Sequence, residues 1–315
     1  MKLARFIRSA ATKALIFVLL AVAKPAQAQT FYVSTGDGSQ IIDKVSSIGS
    51  VSVFATLPAN SIPLGLAFDT SGNLYAAGAN TNQISKITPG GTVSLFATLP
   101  GPVSNGSAPC GLAFDTSGNL YAADNNTNQI SKITSGGVVS LFATLPANSQ
   151  PYGLAFDTIG NLYVADDATS QISKITSGGV VSLFATIPGS SPTGLAFDSG
   201  GNLYVADNAS STISRITSGG VVTVFATLPN NSQPIGITFD TSGNLYAADF
   251  KSNQISEISS DGLTVTTFAT GIASPRFIVL APTPEPTTCA MLAIGVGILT
   301  ARRRRYARKG GIESP

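Results

Sequence analysis

The chain repeats itself. Gly-Leu-Ala-Phe-Asp opens at residues 65, 111, 153 and 194 and returns as Gly-Ile-Thr-Phe-Asp at 236, with spacings of 46, 42, 41 and 42 residues. Such a period admits few folds, because each unit must bury its apolar surface against copies of itself. Every copy runs into a Gly-Asn pair and then Leu-Tyr, as in Gly72-Asn73-Leu74-Tyr75. Gln-Ile-Ser-Lys-Ile-Thr follows at 83–88, 129–134 and 171–176, then a glycine-rich turn, then Val-Ser-Leu-Phe-Ala-Thr at 93–98, 139–144 and 181–186. Each unit thus carries four short strand signals. Asp69-Thr70-Ser71-Gly72-Asn73 makes a tight hairpin between the first two, since an Asp side chain bonds its own backbone and Gly accepts positive φ. Ser135-Gly136-Gly137 turns the next hairpin the same way. The strands read as apolar on both faces, as in Val93, Leu95 and Phe96, which predicts sheets sandwiched between neighbours. Four strands in about 42 residues is the signature of an all-β propeller blade.

The blade count follows from the ends of the repeat. Second-strand signals start at Phe31-Tyr32, Leu74, Leu120, Leu162, Leu203 and Leu245, which makes six. The first has no Gly-Leu-Ala-Phe-Asp before it. The last unit is followed by Phe277-Ile278-Val279-Leu280-Ala281, 41 residues after Gly236 and in the register of that missing phrase. A strand from the end of the domain should therefore complete the blade begun at Phe31, leaving a six-bladed propeller with no open seam.

Outside 29–282 the sequence reads as addresses rather than fold. Lys2, Arg5, Arg8 and Lys13 precede a ten-residue apolar run, Ala14 to Ala23, and Ala26-Gln27-Ala28 offers small residues for cleavage before Gln29. Residues 1–28 are thus expected to be a secretory signal peptide. Residues 283–315 carry Pro284-Glu285-Pro286, a short apolar stretch at 289–301, and Arg302-Arg303-Arg304-Arg305. An apolar run closed by a basic block acts as a stop-transfer signal that holds the arginines on the cytoplasmic side. This end resembles the PEP-CTERM sorting signal, with Thr287 where many members have Ser. The resemblance implies transient inner-membrane anchoring through 289–301, recognition by an exosortase-type processing protease of a Gram-negative bacterium, and release or transfer to the cell surface. A plain single-pass anchor is the alternative.

The repeat units resemble the NHL-repeat group and its six-bladed relatives, including gluconolactonase-like and strictosidine-synthase-like propellers. That resemblance implies a fold and leaves the activity open, because the fold hosts binding modules, lactonases and lyases alike. The residue just before each Gly-Leu-Ala-Phe-Asp differs from unit to unit: Leu64, Cys110, Tyr152, Thr193, Ile235 and Arg276, each preceded by proline. One varied column amid near-identical repeats predicts a ring of differing side chains at the mouth of the central channel. Ligand binding is expected, if anywhere, at Arg276, Tyr152, Thr193 and Cys110, although Tyr152 and Arg276 could equally cap the channel and Cys110 could be a small buried filler.

The same ring argues against catalysis. Gluconolactonase-like relatives are expected to hold a divalent metal there with Glu, Asn and Asp, and the ring has no acid or amide, so no catalytic metal and no other cofactor is expected. Propeller lyases related to virginiamycin inactivation use histidine, and this chain has none among its 315 residues. The commonest acid–base group near neutral pH goes with it. Asp69, Asp115, Asp157, Asp198 and Asp240 recur in every complete unit and read as turn architecture; Asp124, Asp166, Asp207 and Asp249 read as loop-holding groups. Residues 29–283 hold 7 basic and 14 acidic side chains, so no nucleic-acid partner is expected. Three readings stay open: a non-catalytic surface or matrix propeller that binds an extracellular protein, glycan or small molecule; a lactonase-like or lyase-like enzyme with an atypical site; and a purely structural envelope protein.

Overall fold

The computed structural model describes residues 29–101 and 109–282. The signal-peptide residues Ala26 and Ala28, the sorting motif from Pro284 to Pro286, the apolar stretch 289–301 and Arg302 to Arg305 lie outside them. Among the described residues no helix is long and apolar enough to cross a membrane. The strands form six antiparallel four-stranded sheets, the blades of a propeller. Blade 2 runs from its inner strand Pro63–Phe68 through Leu74–Gly78 and Gln83–Ile87 to its outer strand Val93–Thr98. Blades 3 to 6 repeat the plan with inner strands Leu112–Phe114, Pro151–Phe156, Pro192–Phe197 and Pro234–Phe239.

Blade 1 is closed as the register predicts. Pro275–Leu280 pairs with Thr30–Thr35, setting Phe31 opposite Leu280, Tyr32 opposite Val279 and Val33 opposite Ile278. The two ends of the domain thus share one sheet, and no inner edge is left unpaired.

The blades adhere through aromatic side chains at fixed repeat positions. Tyr75 on the second strand of blade 2 lies edge-on to Phe96 of its own outer strand (4.8 Å between ring centres) and to Phe114 of blade 3 (5.0 Å). Tyr121, Tyr163 and Tyr204 repeat the arrangement, so these tyrosines do serve packing between blades. Edge-to-face contacts of this kind add to the area each ring buries. A β-bulge where the third strand meets the outer one re-aims the phenylalanine, since Ile84 pairs with Ala97 but Ser85 pairs with Leu95, leaving Phe96 as the extra residue.

The outer strands correct one expectation. Val93 and Phe96 are half-buried, but Leu95 is 61% exposed, and its counterparts Val53, Leu141, Leu183 and Val224 are exposed with it. Neighbouring blades diverge toward the rim, and the bulge gives the inward direction to the phenylalanine, so only part of the outer strand is sandwiched.

The inner strands approach each other more closely than side chains allow. The Gly65 N–H donates to the Cys110 carbonyl (2.8 Å) and the Gly111 N–H to the Tyr152 carbonyl (2.8 Å), so adjacent blades are hydrogen-bonded around the axis. A Cβ on Gly153 would lie 2.0 Å from the Thr193 carbonyl oxygen, and one on Gly194 would lie 2.3 Å from that of Ile235. That is why the repeat begins with glycine. Blade 1 breaks the rule: Phe277 stands where the other inner strands have glycine. Its side chain is buried with Leu64, Cys110 and Ile235, and Tyr152 stacks on it at 5.5 Å. These five residues come from five different blades, so they meet on the propeller axis and fill it.

Candidate functional site at the channel mouth

The ring of varied residues lies where each inner strand begins, opposite the end of each second strand: Pro151 pairs with Asp166, Pro192 with Asp207 and Pro234 with Asp249. Leu64, Cys110, Thr193 and Ile235 are buried. The Thr193 hydroxyl donates toward the carbonyls of Ala206 (3.3 Å) and Pro234 (3.2 Å), which ties blade 5 to blade 6. Burial pushes the Cys110 thiol well above the thiol range, against the pull of Arg276, so it is not a thiolate near neutral pH. Two of the predicted residues, Arg276 and Tyr152, remain half-buried at the mouth and touch: Arg276 Nη1 lies 3.4 Å from the Tyr152 hydroxyl.

A second varied column meets the first. It is the residue after each second strand: Gly36, Ala79, Asn125, Asp167, Asn208 and Phe250 in blades 1 to 6. The Arg276 guanidinium sits over the Phe250 ring at 5.1 Å, and a Cβ on Gly36 would come within 2.1 Å of Arg276 Nε, so glycine there makes room for the arginine. Asp167 opens a short 3₁₀ turn, Asp167–Thr169, and accepts a hydrogen bond from the Ser191 hydroxyl of the next blade. Its charge is felt at Tyr152, whose phenol is pushed up first by burial and by Cys110. Sequence reasoning missed this column. The signal was present, since the position varies while the Leu-Tyr-Ala-Asp before it hardly does.

The aspartates at the two ends of the propeller are held differently. At the turn end, Asp115 Oδ1 accepts from the backbone of Ser117 (2.9 Å) and Asn119 (2.8 Å), and Oδ2 accepts from the Asn119 amide (2.8 Å). Burial would raise this carboxyl, but those bonds outweigh it and hold it below the usual carboxylate range; Asp157 and Asp198 behave alike. At the mouth end the second-strand aspartates split into two kinds. In blades 3 and 5 they hold loops as expected: Asp124 Oδ1 accepts from Asn126 N (3.0 Å), and Asp207 Oδ1 from Ala209 N and Ser191 N (3.1 Å each). In blades 4 and 6 the amide two residues after the aspartate is taken by the preceding crossover instead, Ala168 N by the Ser149 carbonyl and Lys251 N by the Ser232 carbonyl. Asp166 and Asp249 then turn inward onto Ser173 and Ser256, both at 2.5 Å, with Oδ1 buried and without a protein partner. Desolvation pushes Asp166 up to about 7 and Asp249 up to about 6. Both are fully buried and out of reach of a bound substrate.

Among the described residues no three acids or thiols gather closely enough to hold a metal ion. At the mouth Arg276 meets Tyr152, Phe250 and Gly36, with Asp167 and Ser191 bonded to each other on the rim.

Fold and mouth define a six-bladed propeller with a filled axis. The chain belongs to the virginiamycin B lyase family, whose model matches residues 20–185 and again 102–286. Residues 282–305 match the PEP-CTERM protein-sorting motif, which implies processing by an exosortase and export to the cell surface. Among curated proteins none matches the sequence. Selenomethionine-substituted virginiamycin B lyase from Staphylococcus aureus is similar in structure, with a TM-score of 0.63, 23% identity, and coverage of 81% of this chain and 92% of that one. A catalytically inactive histidine-to-alanine variant of the same enzyme, with quinupristin, gives 0.63, 23%, 82% and 94%. A chain of a nidogen/laminin complex gives 0.67, 19%, 81% and 99%. These likenesses are of fold.

Proposed function

We propose that the chain is a non-catalytic binding propeller of the cell surface, a family member that keeps the scaffold and has lost the chemistry. One observation carries this reading. A lyase of the family, from Staphylococcus aureus, is inactive when a histidine becomes alanine, and this chain has no histidine at all. The Cys110 thiol and the Tyr152 phenol do not take its place, because both are pushed away from neutrality, chiefly by burial. The likeness to a chain of the nidogen/laminin complex supports the reading from another side, since that propeller belongs to an assembly between proteins.

The test is incubation of the purified chain with quinupristin, followed by mass spectrometry, with and without added divalent cation. The expected result is unchanged quinupristin after prolonged incubation. Conversion to any product contradicts the proposal and restores the lyase reading. Export is tested on material recovered outside the cell, which is expected to begin near Gln29 and to lack Arg302 to Arg305.

A further inference from the structure

Arg276 is placed with more care than a capping residue needs. It leaves the inner strand of blade 1 and reaches the Tyr152 hydroxyl of blade 4, the blade diametrically opposite. Phe250 of blade 6 supports its flat face, and the slot it occupies exists because position 36 is glycine. Three blades and the axis thus fix one guanidinium at the mouth. Its hydrogen bonding is left incomplete. Nε is buried without a protein partner, and among the described residues no carboxylate forms an ion pair with it. A guanidinium carries five donors in a planar fork that matches an oxyanion, and a desolvated cation without a counter-charge is costly.

We propose that Arg276 anchors a binding site for a hydroxylated monocarboxylate at the propeller mouth. This deepens the binding-module reading and rests on it. The charge of the ligand follows from the surroundings. Asp167 accepts from Ser191 at this mouth and Asp37 follows Gly36 on the loop packed against Arg276, so the guanidinium stands among carboxylates and favours a ligand with no more than one negative charge. Lys251 is exposed on the loop after Phe250. The rest of the ligand follows from the rim. Asp167 accepts, Ser191 donates and accepts, and Asn125 and Asn208 occupy the position equivalent to Asp167 in the two adjoining blades. These are partners for hydroxyl groups beside the carboxylate.

Calorimetric titration of the purified chain tests this with D-glucuronate, its neutral counterpart D-glucose, and inorganic phosphate. Glucuronate is expected to bind at least about tenfold more tightly than either of the others. Arg276→Gln is expected to lose about tenfold in glucuronate affinity, Arg276→Lys to lose less, and Lys251→Gln to stay within about twofold of native. If Arg276→Gln melts early, Tyr152→Phe, which removes only the hydroxyl that holds the guanidinium, is expected to weaken glucuronate about threefold. Undiminished affinity in the folded Arg276 or Tyr152 variant, tighter binding of phosphate than of glucuronate, or no glucuronate binding by the native chain overturns the site. None of these outcomes touches the quinupristin result, so the two proposals fail separately.

Discussion

The two ends of the propeller are built from the same repeat and obey different rules. At the turn end every complete blade carries the same Asp and Asn, and convergent hydrogen bonds hold the Asp115, Asp157 and Asp198 carboxyls below their usual range. At the mouth end the residues differ blade by blade, burial pushes the Asp166 and Asp249 carboxyls up, and a guanidinium reaches a phenol rather than a carboxylate. Uniformity follows where a feature must recur so that each blade can fold. Variation gathers where six blades surround one axis, so that each contributes once to a shared surface.

That comparison can be broken by substitution. The largest expected effect is at the axis beneath the mouth: Phe277→Ala removes the ring that fills the space other blades leave to glycine and should cost about 3–4 kcal/mol, read as a lower denaturant midpoint at unchanged m-value. At the turn end, Asp198→Ala strips the acceptor from Asn202 N and Nδ2 (2.8 Å each) and should cost about 1–3 kcal/mol, with no change in glucuronate affinity.

The third effect is on pH, and its sign separates the ends. Asp166, Asp249 and Asp43 have folded-state values raised to about 7, 6 and 6. Their contribution is fully present below the unfolded carboxylate range and is lost as pH rises through 6 to 7. The turn aspartates Asp115, Asp157 and Asp198 are lowered, so theirs is present above that range and lost as pH falls below it. Stability should therefore peak at about pH 4 and Tm should fall by about 3–6 °C toward pH 8. Asp166→Asn should flatten the neutral limb and leave the acid limb in place; calorimetric melts across this range decide it. The smallest expected effect on stability is that of Arg276→Gln, within about 0.5 kcal/mol, because that residue's work is at the mouth.

Most of the fold was legible because a repeat states its rules several times. Phe277 to Ala281 could be assigned to blade 1 from register alone, and the structure pairs it there. Leu95 was misread because composition does not tell an outer strand from an inner one; the bulge that turns Phe96 inward is a property of pairing. The site was half legible. Arg276 and Tyr152 stood out as varied residues, but the same test also picked Thr193 and Cys110, which the inner strands bury. Phe277 was seen in the register of the repeat, yet its consequence, a filled axis, depends on how closely five glycines draw the other strands together. Asp166 and Asp124 look identical in sequence; what separates them is which neighbour satisfies the loop amides.

The most direct measurement is nuclear magnetic resonance of the ¹⁵N-labelled chain titrated with D-glucuronate. Shifts should be confined to Gly36, Tyr152, Asp167, Phe250 and Arg276, and the turn-end residues Asp115, Asp157 and Asp198 should not move. Shifts centred on the turn end, or spread equally over both ends, would contradict the assignment of function to the varied face.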